Sequence, residues 1–302
     1  MDNDLDTLAT ALYVTTDDYL KANPHLTPWR PRVGMTPRIS DAELITLAVM
    51  QSLLGFHSER RWIRYARARL ISMFPTLPQQ AGYNKRLRRL TGLMQQVVAH
   101  LAADTGLWTD DVWVADSTPV ECGRSRETVK RSDLAGYAEY GYCASHSRFF
   151  WGLRLHLLAT LDGLPVGFAL TGAKADERDT LQSILETTPA EVTAQQTIMA
   201  DKGYYGRVFE RELDDSGITL LRPARKGEPP RAGARFLKPL RQTIESVFDT
   251  LKGQLGLEQH GGRTIAGVVI RVLQRLLALT TAIWHNQKTG QPVLRSLTAY
   301  DH

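Results

Sequence analysis

Three acidic residues lie where a carboxylate can do chemistry. Asp116 follows the apolar run "VWVA", and Asp201 ends the apolar run "TIMAD" directly before Lys202-Gly203-Tyr204. Glu245 lies in "LRQTIESVFDTLKG", residues 240–253, which has the pattern of a helix. An acid at the end of an apolar strand sits at the rim of a sheet, where it needs a hydrogen bond, a cation or a metal. A strand-end Asp also caps turns, so each acid alone has an ordinary structural explanation.

Taken together, the three acids predict a metal site. Mg²⁺ prefers oxygen ligands, usually carboxylates, with water and phosphate filling the remaining positions. Two such ions roughly 3.5–4 Å apart stabilise the attacking and leaving oxygens of an in-line phosphoryl displacement. We therefore expect Asp116, Asp201 and Glu245 to hold Mg²⁺, for which Mn²⁺ can substitute. The sequence contains no Gly-rich phosphate loop, no nucleophile elbow, and no His-x-Glu zinc pattern completed by a Cys-x2-Cys pair.

The helix that carries Glu245 has an unusual face. Arg241, Phe248 and Lys252 lie on the same stripe as Glu245. Arg241 and Glu245 are four residues apart, so they can form a surface ion pair worth roughly 0.2–0.5 kcal/mol. The functional alternative is that Arg241 and Lys252 orient the Glu or contact phosphates, while Phe248 packs against the sheet.

The bulk composition is that of a globular protein able to bury a core. The chain has 302 residues, 43% of them hydrophobic and 23% charged, with a net charge of +5. A mild basic excess is compatible with a nucleic-acid partner. Cys122 and Cys143 fit neither a zinc motif nor a disulfide framework. The apolar stretch 264–286 carries two Arg and a Gln on one side, which indicates an amphipathic core helix. We expect a cytoplasmic protein without a membrane partner.

The elements that must position these residues change character near residue 108. Residues 1–107 read as helices, with capping signals at Ser40 and Ser58. From 108 onward the order is strand, hairpin, helix, strand, helix, strand, helix, in which Asp162-Gly163 marks the hairpin turn. This order predicts an α/β fold with a mixed sheet flanked by helices. The predicted domains are an all-helical N-terminal region, 1–107, and an α/β domain, 108–302, that includes the C-terminal helices.

Basic residues cluster in three segments that are candidates for contacting a phosphate backbone. In the helical region the second capped helix carries Arg64 and Arg67. Two connections, 121–149 and 222–241, are long and polar, and we expect the second to be mobile. The ordinary alternatives are a solvated helix face and plain connections. The candidate residues in the connections are Arg124, Arg126, Lys130, Arg131, Arg225 and Lys226.

In this arrangement the chain resembles the DDE transposases of bacterial insertion sequences, whose catalytic domain has an RNase H-like fold. The family's Asp-x-Gly-Tyr/Phe motif matches Asp201, Gly203 and Tyr204, and Asp116 falls on the first strand. One branch carries Tyr-x2-Arg-x3-Glu-x6-Lys, which Arg241, Glu245 and Lys252 match in spacing. Lys238 stands at the Tyr position, so the chain departs from the family's pattern there. The likeness covers roughly residues 108–286.

The resemblance implies a metal-dependent transposase that cleaves double-stranded DNA at the ends of its element and joins them to target DNA. It implies that the helical region 1–107 binds the DNA ends and that 108–302 is the catalytic domain. It also implies a homodimer, because two ends must be held together, and a bacterial protein associated with the nucleoid. Two alternatives remain: a nuclease of the same fold that makes no strand transfer, and a catalytically silent DNA-binding protein derived from a transposase. A carboxylate-pair hydrolase is a weaker alternative because it leaves the basic segments unexplained.

Overall fold

The structure, a computed structural model, describes residues 3–29, 36–143, 147–188, 195–231, 233–293, 297 and 300, with the backbone alone at 234–236 and 238–240. The chain divides into two compact units. One comprises residues 1–101 and 251–302, and the other comprises residues 102–250. The C-terminal helix therefore groups with the N-terminal helices, whereas the predicted domains placed it with the catalytic part.

The described helices, in chain order, are α1 (Asn3–Ala22), α2 (Asp41–Leu53), α3 (Glu59–Arg69), α4 (Gln80–Arg89), α5 (Thr91–Ala103), α6 (Arg126–Arg131), α7 (Glu177–Thr187), α8 (Arg207–Asp215), α9 (Ala234–Asp249) and α10 (Ile265–Thr289). Short 3-10 turns span Pro24–Leu26, Gly106–Thr109 and Leu257–Gln259, and a π-helical turn spans Thr250–Gln254. The strands are β1 (Val112–Gly123), β2 (Glu139–Cys143), β3 (Arg148–Thr160), β4 (Pro165–Gly172), β5 (Thr197–Met199) and β6 (Thr219–Leu221).

Both helix starts predicted from capping residues are confirmed. At the start of α2, the Glu43 N–H donates to Ser40 Oγ over 3.1 Å, and the Ser40 N–H donates to Glu43 Oε2 over 2.6 Å. At the start of α3, the Arg61 N–H donates to Ser58 Oγ over 3.4 Å. Each cap satisfies backbone donors that a helix start leaves free, which contributes about 1 kcal/mol.

Helix α10 is long and apolar enough to cross a membrane by length and composition, but 78% of its most apolar window is buried within the protein. Arg271, Gln274 and Arg275 are buried with it. Arg271 pairs with Glu59, and the Gln274 side-chain amide donates to the Ala48 carbonyl over 2.6 Å. A buried guanidinium without such a partner would cost several kcal/mol. These contacts agree with the expected core helix.

The second unit is built on one mixed sheet. Strand β3 pairs antiparallel with β1 along one side, while β2 and β4 pair with successive halves of its other side. Strands β5 and β6 run parallel to β1, so the path across the sheet is β2-β3-β1-β5-β6. The predicted hairpin is β3 and β4. A mixed sheet flanked by helices, together with an N-terminal helical region, confirms the expected RNase H-like fold.

Strand β1 is longer than predicted. The sequence pattern ends it near Pro119, because proline cannot donate a ladder hydrogen bond. In the structure β1 continues to Gly123. Strand β5 pairs with β1 only from Val112 to Val114, so Pro119 lies beyond β5, at a position where it pairs with β3 alone. Here β1 has one partner strand, as an edge strand does, and proline is tolerated in edge strands.

Part of the connection 121–149 is regular structure that the sequence analysis did not predict. It contains α6 and the edge strand β2, in which Tyr140 and Tyr142 are exposed while Gly141 and Cys143 are buried. Gly141 lies against the Phe150 ring, where a Cβ would come within 2.9 Å of it. A strand whose apolar positions are Gly and Cys carries a weak hydrophobic pattern, which explains the omission.

Each face of the sheet is covered by different helices. On one face, α7 and α8 pack on Trp113 and Ala115 in a single buried cluster. Side chains alternate along a strand, so Val114 and Asp116 face the other way. On that second face lies α9, whose Ile244 lines a pocket together with Val114. The site described next opens between this face and α9.

Candidate active site

Asp116 and Asp201 lie side by side because of strand register. Val114 of β1 pairs with Met199 of β5 in parallel, and each Asp follows two residues later. Neighbouring strands lie about 4.8 Å apart, so the two carboxylates project from adjacent backbones onto the same face. Both line one pocket, whose other walls include Leu237, Arg241 and Ile244. The carboxyl ends of parallel strands are the usual place for a ligand site in an open α/β sheet.

The Asp116 carboxyl has an unusual proton affinity. Burial raises its pKa to about 6, against the pull of the Ser117 N–H and the Arg241 charge, while the charges of Asp201 and Glu177 raise the pKa further. The Ser117 N–H donates to Asp116 Oδ1 over 2.7 Å. A carboxyl of this kind is easier to ionise when a cation enters the pocket, because the cation offsets the cost of burying the charge.

The turn after Asp201 explains the Asp-x-Gly-Tyr motif. The Gly203 N–H donates to Asp201 Oδ1 over 2.6 Å. A Cβ on residue 203 would lie 2.7 Å from that same oxygen, so only glycine leaves the carboxylate in place. Tyr204 is 2% exposed and belongs to the core cluster, with its pKa raised well above the ordinary value by burial. The glycine therefore positions the acid and the tyrosine anchors the turn.

The third predicted acid does not join the other two in this structure. Glu245 is 56% exposed and is not among the residues that line the pocket. Its Oε1 lies 3.2 Å from Nε of Arg241, so the surface ion pair expected as the ordinary alternative is present. Arg241 itself lines the pocket, and Phe248 is buried as expected. Lys252 lies in the following π-helical turn, within the other compact unit. The Lys238 side chain is outside the described part of the chain.

The structure adds a third carboxylate that the sequence analysis missed. Glu177, the first residue of α7, accepts hydrogen bonds through Oε1 from Ser117 Oγ at 2.5 Å and from Arg154 Nη1 at 3.2 Å. The segment "DERDTLQSILE" was predicted as a helix, yet no role was given to the acid at its start. The available signal was its position in the first turn of a helix that follows the predicted hairpin after a short connection.

Apart from Arg241, the predicted basic residues of the second unit are not among those that line the pocket. Those of α6 and its N-terminal flank form ion pairs with nearby acids: Arg124 with Glu121 at 3.3 Å, and Lys130 and Arg131 with Glu127 at 3.5 and 3.8 Å. Arg126 is exposed on the same helix. In helix α3, Arg64 and Arg67 are both exposed. The exposure of these side chains is compatible with contacts to an anionic ligand.

The connection 222–231 is held in place by ion pairs, whereas the sequence analysis expected it to be mobile. Arg222 is 3% exposed and pairs with Glu210 at 2.6 Å and with Glu228 at 2.8 Å. The Arg225 guanidinium lies 3.5 Å from the centre of the Tyr205 ring, and Lys226 is exposed. A buried Arg between two carboxylates holds this basic segment in one place, and that pairing depends on tertiary contacts.

The pocket suits a hard divalent cation. Asp116 and Asp201 supply carboxylate oxygens, and Mg²⁺ is commonly held by one or two carboxylates with water and substrate phosphate completing its shell. Within the described residues, no group of three or more His, Cys, Asp or Glu side chains is arranged to hold a metal ion. The donor set therefore fits an ion that is held partly by the substrate.

Comparison with known families decides the classification. Residues 107–281, more than half of the chain, match the family described as the transposase DDE domain.

The chain belongs to this family.

The match begins just before β1 and ends within α10, so it covers the sheet, both Asp residues and α9. No curated protein matches the chain. The resemblance to DDE transposases is thus confirmed. Proteins of this family bind DNA and generally use a divalent metal ion, which agrees with two carboxylates in one pocket.

Proposed function

We propose that this DDE transposase cleaves DNA at the ends of its own bacterial insertion sequence and joins those ends to target DNA by two-metal phosphoryl transfer. The observation that carries the proposal is the register of β1 and β5, which sets Asp116 and Asp201 next to each other in one pocket. Asp116 lies within β1, two residues past the last residue paired with β5, and Asp201 lies two residues past the end of β5. Carboxylates on adjacent backbones are suited to holding Mg²⁺, or Mn²⁺ in its place.

The residues of the pocket take distinct parts in this chemistry. Asp116 and Asp201 would hold the metal, and Glu245 would be the third ligand. Bound metal ions supply activation of a water or a 3′-hydroxyl and stabilise the leaving oxygen. Arg241 lines the pocket and offers a fixed positive charge to the scissile phosphate. Met199, Leu237 and Ile244 wall off part of the pocket from bulk water, which strengthens every charge interaction inside it.

Glu245 connects this scheme to the ion pair seen in the structure. Arg241 holds Glu245 in the DNA-free protein, at a distance of 3.2 Å. We propose that substrate phosphate competes for Arg241 and releases Glu245 to the metal. An exposed pair of this kind is weak, so a phosphate and a divalent ion can replace it readily.

DNA binding is supported by the charge of two helices. Helices α3 and α4 contain nine basic residues and one acidic residue, a net +8, whereas the whole chain carries +5. The acid, Glu59, and one base, Arg86, are engaged within the helical unit, with Arg271 and Asp41. The remaining basic side chains are exposed. We propose that this basic face holds the ends of the element, with two copies of the chain bringing both ends together in the cytoplasm, at the nucleoid.

The experiment that tests the proposal uses a labelled duplex carrying the DNA that flanks the gene. Cleavage is measured with Mg²⁺, Mn²⁺ or EDTA for the wild type, Asp201→Asn and the control Asp215→Asn, whose side chain is exposed on α8. We expect metal-dependent cuts at one position, reduced at least about 100-fold in Asp201→Asn because a ligand is lost, with DNA binding retained. The Asp215→Asn variant should cleave as the wild type does.

Other outcomes would select the alternatives. Cuts without joined products point to an RNase H-like nuclease that makes no strand transfer. Tight binding without any cut under either metal points to a catalytically silent DNA-binding protein, a reading that the exposed position of Glu245 favours. Equal loss of binding and cleavage in a folded Asp201→Asn variant would contradict the metal-ligand role.

A further inference from the structure

Asp116 and Asp201 come from different strands, and their separation decides whether one ion can contact both. The two strands are hydrogen-bonded to each other only up to Val114 and Met199, before either acid. Beyond that point the backbones need another connection to keep the carboxylates at a fixed distance. Besides Arg241, which lines the pocket, Glu177 at the start of α7 reaches the neighbourhood of both acids.

One oxygen of Glu177 is bound to the strand that carries Asp116. Ser117 Oγ donates to Glu177 Oε1 over 2.5 Å, and Ser117 is the residue whose N–H holds the Asp116 carboxylate. Arg154 of β3 donates through Nη1 to the same Oε1 over 3.2 Å and to Ser117 Oγ over 3.0 Å. The Arg154–Glu177 pair is mostly shielded, with the two side chains 16% and 28% exposed. Charge-assisted bonds in such a setting are stronger than neutral ones.

The other oxygen of Glu177 faces the turn that carries Asp201. Glu177 Oε2 lies 3.4 Å from the place where a Cβ on Gly203 would be, next to the Gly203 N–H that holds Asp201 Oδ1. The helix end that presents Glu177 is itself fixed, because the Arg178 N–H donates to the Asp176 cap over 2.9 Å. Glu177 therefore lies between two backbone segments, each of which holds one of the two acids.

We propose that Glu177 is a positioning residue that sets the distance between Asp116 and Asp201, acting through Ser117 on one side and the Gly203 turn on the other. The inference rests on the proposed metal site, and it adds to that site a residue outside the three acids. In this role the hydrogen-bond geometry of Glu177 matters, because its Oε1 accepts from both Ser117 and Arg154.

A positioning role predicts different effects for glutamine and alanine at residue 177. Glutamine keeps an oxygen that can accept from Ser117 and Arg154, so Glu177→Gln should preserve the spacing. Alanine removes the connection, so Glu177→Ala should loosen both acids. Residues that orient metal ligands typically change metal affinity by about 10–100-fold when they are removed.

The test measures binding of Mn²⁺ alone to the full chain without DNA, by calorimetry and by the spectrum of bound Mn²⁺. The set comprises the wild type, Glu177→Ala, Glu177→Gln, Ser117→Ala and Asp116→Asn, with Glu186→Ala as the control on an exposed glutamate of the same helix. Thermal melting of each variant without metal reports folding. Ser117→Ala removes the same hydrogen bond without changing α7, so the test remains decisive if Glu177→Ala does not fold.

We expect Asp116→Asn to abolish Mn²⁺ binding, and Glu177→Ala and Ser117→Ala to weaken it about 10-fold or more. Glu177→Gln and Glu186→Ala should stay within about 3-fold of the wild type. Unchanged binding in Glu177→Ala or Ser117→Ala overturns the inference while leaving the metal site intact. Equal weakening of Mn²⁺ binding in Glu177→Gln and Glu177→Ala also overturns the inference. The loss would then follow the negative charge of Glu177, which would show that this carboxylate binds the ion directly. Binding that Asp116→Asn does not change overturns the metal site itself.

Discussion

At the scale of single residues, the site depends on a close contact at Gly203. We predict that Gly203→Ala reduces cleavage and Mn²⁺ binding at least about 10-fold, because its Cβ would lie 2.7 Å from Asp201 Oδ1 and displace that carboxylate. The obstructing oxygen ends a short rotatable side chain, so the free energy of unfolding should change by less than about 1 kcal/mol. Paired assays of cleavage and thermal melting check this.

The control for this prediction is Gly92→Ala. Gly92 is exposed in α5, and nothing lies within 4 Å of the Cβ it would gain. This change should leave cleavage intact and raise the free energy of unfolding by about 0.5–1 kcal/mol, since alanine favours a helix over glycine. A Gly203→Ala variant as active as Gly92→Ala would show that the turn does not position Asp201.

At the scale of elements, α3 has two sharply different faces. Trp62, Ile63 and Ala66 are buried, while Arg60 and Arg64, one turn apart on the opposite side, are exposed. If this face contacts phosphates, Arg60→Ala with Arg64→Ala should weaken duplex binding and lower the slope of log affinity against log salt by about 2, since each contact contributes roughly 0.9. Titrations at several salt concentrations measure the slope.

The matched control removes two exposed arginines from α8, Arg207 and Arg211, which lie in the other compact unit. It changes the net charge of the protein by the same amount. An equal drop in slope for both double variants would mean that DNA responds to total charge only, and it would argue against α3 as the DNA-binding face.

At the scale of the whole molecule, two buried groups give opposite dependences of stability on pH. Burial beside Arg154 lowers the pKa of His156 to about 4. As the pH falls through 6.5, this histidine is therefore protonated in the unfolded chain but stays neutral in the folded chain. Stability from His156 is therefore lost as the pH falls from 6.5 towards 4. Burial raises the pKa of Asp116 to about 6, so the folded chain binds a proton there first, and stability from Asp116 is lost as the pH rises through 6.

We predict opposite changes in the pH response of two variants in EDTA between pH 7.5 and pH 5. Acidification should cost His156→Gln about 2 kcal/mol less than it costs the wild type, because the histidine contribution is gone. It should cost Asp116→Asn about 1 kcal/mol more, because the compensating carboxyl is gone. Denaturant unfolding at the two pH values measures both differences. Shifts of the same sign in the two variants would contradict these proton affinities.

Much of the fold could be predicted from local sequence. The capping residues Ser40 and Ser58, the Asp162-Gly163 turn and the order of strands and helices are encoded within a few residues of each feature, so pattern reasoning finds them. The Asp-x-Gly-Tyr motif is local in the same sense, since the contact that requires Gly203 is made by Asp201. These short-range signals, and the spacing of the acids along the chain, were enough to indicate the family.

Tertiary structure alone decided the rest, because the partners are far apart in sequence. Glu177 meets Ser117 across 60 residues, and Arg271 meets Glu59 across 212 residues, so no local pattern shows either pair. The extension of β1 past Pro119 depends on where β5 stops. Whether the Glu245 side chain pairs with Arg241 or reaches the pocket depends on how α9 packs on the sheet. Sequence determined which acids are present and on which elements, and the register of the assembled strands brought Asp116 and Asp201 together.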